Sequence, residues 1–304
     1  MCCPVCRGNL VEDGAGLRCA GCAAGFAVED GIPRMLDDRL PGIAAKRGEI
    51  AGWVEMAKHH GWYEPDDEID SHLPYLTRDC NWEDRAWAAN EHSFDLLLGR
   101  VKPGMRVLEV GAGKGWAAQH LVPRGVEYVA TDILADPNIG IGRGAFFESR
   151  AGPFLRVQAD GEHLPFRDGA FDLVYCVAAL HHALDMHRMV AEMARVTRPR
   201  GTVAALNEGT RALRASPEAE DQAEEKEHGI NEHVHTLYAY LWAFWRSGLW
   251  VRRVEHAEGD GDLVGRRIGG RLRRLPVVGR SAATWFAQTC YGYSGVTLFA
   301  EKLR

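Results

Sequence analysis

The stretch VLEVGAGKGW, residues 107–116, sets one acid, Glu109, ahead of a loop that has glycine at 111, 113 and 115. An apolar run, a glycine turn and then a helix is the arrangement in which a ligand reaches backbone N–H groups at a helix start, because any Cβ there would hold it away. A dinucleotide loop would carry glycine again at its sixth position, to pack helix on strand. Here that position is Trp116, which weakens a nicotinamide reading. Two more acids close apolar runs: Asp132 in YVATDI and Asp160 in QADGEHLPF, the latter beside Gly161. Asp132 follows Gly111 by about twenty residues, the spacing at which a carboxylate can accept from both hydroxyls of a ribose.

A second constellation opens the chain. CPVC and CAGC are two C-x-x-C knuckles, Cys3 with Cys6 and Cys19 with Cys22, each able to give two thiolates to one tetrahedral ion. Five of the eight cysteines fall within the first 22 residues, a clustering that reads as metal ligation in a reducing compartment. Structural Zn2+ is expected, since a unit of about 36 residues cannot hold itself together by burial alone. Cys2 is one thiol too many and can exchange with Cys3, although the proline-containing knuckle favours Cys3.

Histidines supply the third group. His181 and His182 in ALHHALDMH stand at a strand end, with His187 further on, and an imidazole titrating near neutrality suits proton removal from an alcohol, phenol or protonated amine. The same pair can instead shape the loop without touching substrate. His228, Asn231, Glu232, His233 and His235 crowd into a later stretch that reads either as a polar pocket wall or as a solvated helix start; their spacing mixes helix faces and loop and argues against a metal there. Trp62 and Tyr63 are aromatics that could cover a bound ligand or simply pack in a helical lid.

The elements that must position these residues follow from patterning. Residues 1–36 form a Cys- and Gly-rich unit, and 37–100 shift to helix formers with many aromatics. From 101 onward short apolar strands (105–111, 126–133, 154–160, 171–180 and 201–207) alternate with helical stretches, which predicts an α/β, Rossmann-like, doubly wound and mostly parallel sheet. Two late strands are read at 250–257 and 294–302, with inserts at about 208–235 and 258–292. The stripe Met186, Met189, Val190, Met193 and Val196 recurs at helical spacing and is assigned to the core. Within the acidic stretch 217–233 a helical excursion is expected, while 265–280 carries six arginines able to grip phosphate or merely to balance those acids.

Bulk properties narrow the field. The 304 residues are 46% hydrophobic and 26% charged, with a net charge of −6, which is ordinary for a globular protein and argues against a dedicated nucleic-acid binder. No apolar run is long enough to span a membrane, and the N-terminus lacks a secretion signal, so a cytoplasmic location is expected.

Residues 101–207 resemble the class I S-adenosylmethionine-dependent methyltransferases, whose first motif is an acid followed by G-x-G-x-G. Four landmarks recur in order: Glu109 with Gly111, Ala112 and Gly113; Asp132; Asp160 with Gly161; and LPFRDGAFDLVYC leading into the fourth strand. The resemblance implies S-adenosyl-L-methionine as donor. Asp132, with Ile133 beside it, would hold the ribose, and Asp160 the exocyclic amine of adenine, with Gly161 leaving room for the ring. Glu109 would face the amino group of the methionine portion, and Cys176 and Val177 would line the wall near the methyl. A cationic sulfonium with an ammonium suits acids at three strand ends, where a phosphate would want Lys or Arg. The N-terminal unit resembles the small zinc-ribbon subunits that partner translation-related methyltransferases and, more loosely, the ribbon fused to some ribosomal RNA methyltransferases. The expected activity is methyl transfer to oxygen or nitrogen of a small molecule such as a sugar or specialised metabolite. An RNA base as acceptor, non-methyl chemistry on the donor, and donor binding without catalysis stay open, as does the oligomeric state.

Overall fold

The structure, a computed structural model, describes residues 1–14, 16–211, 223–256 and 294–304. The Arg-rich stretch 265–280 and residues 217–222 of the acidic stretch lie outside the described residues.

Four short strands open the chain, β1 (Leu10–Asp13), β2 (Gly16–Cys19), β3 (Gly25–Glu29) and β4 (Ile32–Pro33), each antiparallel to the next. The expected helical segment follows as α1 (Ile43–His59), α2 (Asp67–His72), α3 (Leu76–Asp79) and α4 (Arg85–Leu98). Helices α2 and α4 begin at Asp66 and Asp84, whose carboxylates accept from two backbone N–H groups each and so satisfy donors that the first turn leaves unpaired.

The α/β part then runs β5 (Arg106–Val110), α5 (Ala118–Leu121), β6 (Glu127–Asp132), α6 (Gly144–Ala151), β7 (Leu155–Gln158), β8 (Phe171–Val177), α7 (Met186–Val196) and β9 (Thr197–Thr210). It closes with α8 (Ala223–Glu227), α9 (Leu237–Arg246), β10 (Leu249–His256) and β11 (Ser294–Lys302). The strands form one sheet in the order β10-β11-β9-β8-β5-β6-β7, parallel except for β11, which runs antiparallel to both neighbours. The third strand is shorter than expected and stops at Gln158, so Asp160 sits two residues past its end.

Both faces of this sheet are covered, and the strand period of two sorts its residues between them. Leu108, Val110, Val174, Cys176, Val203 and Ala205 face α7 and α9. Val107, Leu173, Tyr175, Ala204 and Leu206 face the side closed by Phe94 of α4, Ala118 of α5 and Phe147 of α6. The methionine stripe of α7 is buried in the first core, as its spacing predicts.

The ribbon is docked rather than tethered. Its Cys3, Cys19, Phe26 and Met35 belong to the same apolar cluster as Val157, Leu164 and Met193. Met35 N–H donates to the Gln158 carbonyl at 2.9 Å and Cys2 N–H to the Pro165 carbonyl at 2.8 Å. Arg34 bridges to Gln158, which covers part of the otherwise open edge of β7. Among the described residues no helix is long and apolar enough to cross a membrane.

Candidate active site

A cavity of about 320 Å³ opens where the strand order reverses between β5 and β8, at the carboxyl ends of the strands. In an open doubly wound sheet this is the crevice where ligands bind. Its floor includes Gly111 and Gly113 after β5, Asp132 and Ile133 at the end of β6, and Asp160 and Gly161 past β7. These are six of the ten residues the sequence assigns to the donor.

Their geometry explains the residue types. Gly111 has φ 74°, and a Cβ on it would lie 2.7 Å from that of Ala179 on the opposite wall. Both Gly111 and Ala112 donate N–H to the Thr131 carbonyl at 2.9 Å, tying the loop to β6. Asp132 then joins loop and strand: one oxygen accepts from Gly113 N–H at 2.7 Å, the other from Leu134 N–H at 2.8 Å. Burial raises its carboxyl to about 6, although those two N–H groups pull it down. Asp160 accepts from His163 Nδ1 at 2.7 Å and Glu162 N–H at 3.0 Å. Burial pushes Asp160 up, but His163 and nearby Lys46 outweigh it and leave its carboxyl below the ordinary value. The cation in the loop, Lys114, turns away to Asp70 at 2.8 Å, so the loop offers a ligand no phosphate-binding ammonium. Trp116, at the position a dinucleotide loop would give to glycine, packs edge-on against Phe94 at 4.8 Å.

Helix α1 supplies the roof. Lys46, Glu49 and Trp53 recur at helical spacing on one stripe and all face the cavity, joined by Trp62 beyond the helix end. Lys46 is buried, its Nζ 3.2 Å from Glu162 Oε1 and 4.0 Å from Asp160 Oδ1. Glu49 is also buried, and its Oε2 has no hydrogen-bond partner. Desolvation pushes its carboxyl up to about 7 despite nearby Lys46. Tyr63, the other expected lid aromatic, donates to Asp136 instead and is not on the wall.

The two histidines divide. His182 is on the cavity wall; its Nδ1 donates to the Asn231 carbonyl at 2.8 Å and lies 2.9 Å from Glu232 Oε2. Burial would lower its pKa, but Glu232 and the Asn231 carbonyl prevail and raise it. His181 stands behind, donating Nδ1 to Glu208 Oε2 at 2.8 Å. Glu208, fully buried at the far end of β9, takes Ala179 N–H and Leu180 N–H on its other oxygen at 2.9 and 3.0 Å.

Glu109, Ala112, Cys176 and Val177 are not brought to the wall, and the strand period gives the reason for two of them, Glu109 and Val177. Val110 takes the cavity-facing position of β5, so Glu109 points to the opposite face, where Tyr128 donates its hydroxyl to the carboxylate. Cys176 is buried in the first core with its thiol 3.5 Å from Glu208 Oε1, and Val177 packs toward the second. Ala112 is buried beneath the loop it belongs to. Burial drives the Glu109 carboxyl up to about 8, against the pull of Tyr128 and Tyr175. A carboxyl raised on folding binds its proton more tightly in the native state, so stability falls as pH climbs from the unfolded value near 4.5 through about 8. Glu109→Gln should therefore gain on the order of 2 kcal/mol at pH 7.5 and nothing at pH 4.5. Urea midpoints of the ligand-free protein measure this; curves for the two proteins that run parallel across that range would refute it.

At the other end of the chain the four expected metal ligands converge. Their sulfurs lie within 4.8 Å of one another, with Cys3 3.6 Å from Cys22 and Cys6 3.4 Å from Cys19. Sulfurs around a tetrahedral ion at bonds of about 2.3 Å stand about 3.8 Å apart, so the set fits a single zinc with slight expansion. N–H groups of Cys22 and Gly21 point at Cys19 Sγ and lower its pKa to about 6, which favours the thiolate a metal needs. Cys2 is buried against Pro165 and outside this set.

The sheet order, the glycine loop and the acids beyond β6 and β7 define a class I, Rossmann-like methyltransferase fold. Residues 108–205 match the family described as a methyltransferase domain. The chain is 34% identical over 122 residues to a sterol 24-C-methyltransferase of Gibberella zeae, covering 39% of this chain and 31% of that one. It is likewise 34% identical over 123 residues to a demethylmenaquinone methyltransferase of Corynebacterium urealyticum, covering 40% and 48%. The chain thus spans less than half the length of either relative. Among solved structures, geranyl diphosphate methyltransferase in complex with GPP and sinefungin superposes with a TM-score of 0.55 at 18% identity, over 85% of this chain and 99% of that one. Residues 108–205 are therefore a methyltransferase domain.

Proposed function

We propose that this protein transfers a methyl group from S-adenosylmethionine to oxygen or nitrogen of a small molecule bound under helix α1. The observation that carries the reading is the convergence, on one cavity, of the glycine loop, Asp132 and Asp160 beneath a roof of Lys46, Glu49 and Trp53. The donor supplies the activated methyl on a sulfonium. Asp132 would accept from the ribose hydroxyls, Asp160 from the adenine amine, and Gly161 would leave the ring its space. Trp53 and Trp62 line the space in which the two reactants would be positioned for the displacement. Two groups on the wall can take an acceptor proton, Glu49 and His182, and His181 acts from behind.

Several features support a small acceptor over RNA. The three arginines of the ribbon are already paired with acids: Arg7 with Glu192, Arg18 with Asp13 and Arg34 with Glu29. The ribbon's inner face is taken up by the sheet edge and core, and we assign it structural zinc on Cys3, Cys6, Cys19 and Cys22.

Asp132→Ala should weaken S-adenosylmethionine binding by about 1.5–3 kcal/mol, roughly 10- to 150-fold, through loss of charge-assisted hydrogen bonds. Isothermal calorimetry on wild type and variant decides it, and an unchanged Kd would remove the ribose role. In the ligand-free protein the Asp132 carboxyl titrates near 6, so wild-type affinity should also rise as pH passes upward through that value.

A further inference from the structure

We propose that His181, His182 and Glu232 form a second metal site, for a divalent first-row transition ion held by nitrogen and oxygen in the wall behind the cavity. The sequence argues against a metal in the stretch around 228–235 because its own spacing is irregular. In the fold, however, two of the ligands arrive from the loop after β8, about fifty residues earlier in the chain.

The geometry carries the inference. One nitrogen of each imidazole and one oxygen of Glu232 lie within 4.8 Å of one another, and the two rings are 4.2 Å apart. His181 Nδ1 is committed to Glu208, which fixes the tautomer: in the neutral ring Nε2 carries a lone pair, and it faces Glu232 Oε1 at 3.7 Å. A lone pair opposite a carboxylate oxygen is a pair of donors that one cation between them can bridge. Ligand atoms around a tetrahedral ion at bonds of about 2.1 Å stand about 3.4 Å apart, close to that separation. On the other side the Nδ1 proton of His182 sits between Glu232 Oε2 at 2.9 Å and the Asn231 carbonyl at 2.8 Å. An ion would take that proton's place, with the Asn231 oxygen within reach.

The surroundings match a metal site as well. Glu208 is fully buried and held by two backbone N–H groups, the outer carboxylate that orients a ligating histidine. Two imidazoles and one carboxylate, with no thiolate, suit Zn2+, Fe2+, Co2+ or Ni2+. Because His182 is on the cavity wall, a vacant coordination position there would polarise an acceptor oxygen and leave Glu49 to take its proton. That catalytic consequence rests on the methyl-transfer reading; ion binding does not.

Titration of the full-length, metal-stripped chain with Co2+ under anaerobic conditions tests the site. A thiolate set gives strong near-ultraviolet charge-transfer bands, whereas a nitrogen and oxygen set adds only weak visible bands. We expect both classes in wild type, each near one equivalent. Glu232→Gln should abolish the second class and leave the first, and Glu208→Gln should weaken the second 10- to 100-fold through loss of ligand orientation. Cys19→Ser should do the reverse, weakening the charge-transfer class while the visible class persists in the folded protein. A wild-type chain showing no visible bands beyond those of the thiolate set, or a second class undiminished in both glutamate variants, overturns the proposal. Circular dichroism of the two variants establishes that they are folded; if Glu232→Gln is not, Glu208→Gln and the wild-type stoichiometry decide.

Discussion

Stripping the ribbon of the zinc proposed for it, by a chelator or by Cys19→Ser, should lower the unfolding temperature of the whole described fold and not of the first 36 residues alone. Structural zinc in a small finger contributes on the order of 10 kcal/mol to folding, and a unit of this size has little else to keep it closed. Two independent domains would confine that loss to the ribbon. Here Cys3, Cys19, Phe26 and Met35 pack into one apolar cluster with residues of β7, the following loop and α7, and the ribbon also meets them through Met35 N–H and the Arg7–Glu192 ion pair. Loosening it would expose Val157 and Leu164 to water and uncover the edge of β7. We therefore expect several kcal/mol of the loss to reach the α/β part. The sequence supplies a convenient reporter: every tryptophan lies beyond residue 52, so indole fluorescence follows the rest of the chain without contribution from the ribbon. A fluorescence melt that stays in place while chelation abolishes zinc binding would mean that the ribbon is merely appended.

How far the site was legible depends on how local each signal is. The glycine loop and Asp132 could be read because strand, turn and helix lie within a few residues of one another and each residue type answers to a backbone requirement. Asp160 could be read as well, although its strand ends sooner than its apolar run suggests. Glu109, Cys176 and Val177 are assigned to the donor by family resemblance, yet the alternation along β5 and β8 turns Glu109 and Val177 from the cavity, Cys176 is sealed in the core on the face of Val110, and no motif records that phase. Lys46 and Glu49 escaped notice because polar residues three apart on a helix ordinarily mark its wet face. Only the closure of α1 over the strand ends makes them buried. Glu208 gave no sign at all: one acid at the end of a long strand acquires meaning only when His181 and the N–H groups of Ala179 and Leu180 converge on it.

The helical segment is fastened to the glycine loop by a single buried acid, and its removal should be nearly as damaging. Asp70 in α2 is 1% exposed and accepts from Lys114 Nζ at 2.8 Å and Arg143 Nε at 2.9 Å. Asp70→Ala would leave both cations without that partner in a largely buried site. Arg143 retains Asp67, and the Lys114 side chain keeps 23% exposure, which softens the penalty. We expect a loss of about 3 kcal/mol, the lower end of the range for breaking a buried pair. Donor affinity should fall with it, since Lys114 directly follows Gly113, whose N–H holds Asp132 in place. Urea unfolding of Asp70→Ala, Lys114→Met and the double variant separates the causes. If the cost comes from the orphaned ammonium, Lys114→Met should restore a large part of the stability lost in Asp70→Ala, giving a coupling energy well above the ~0.5 kcal/mol scatter of independent sites. Additive losses, or a cost for Asp70→Ala below about 1 kcal/mol, would reduce the clamp to an ordinary surface pair.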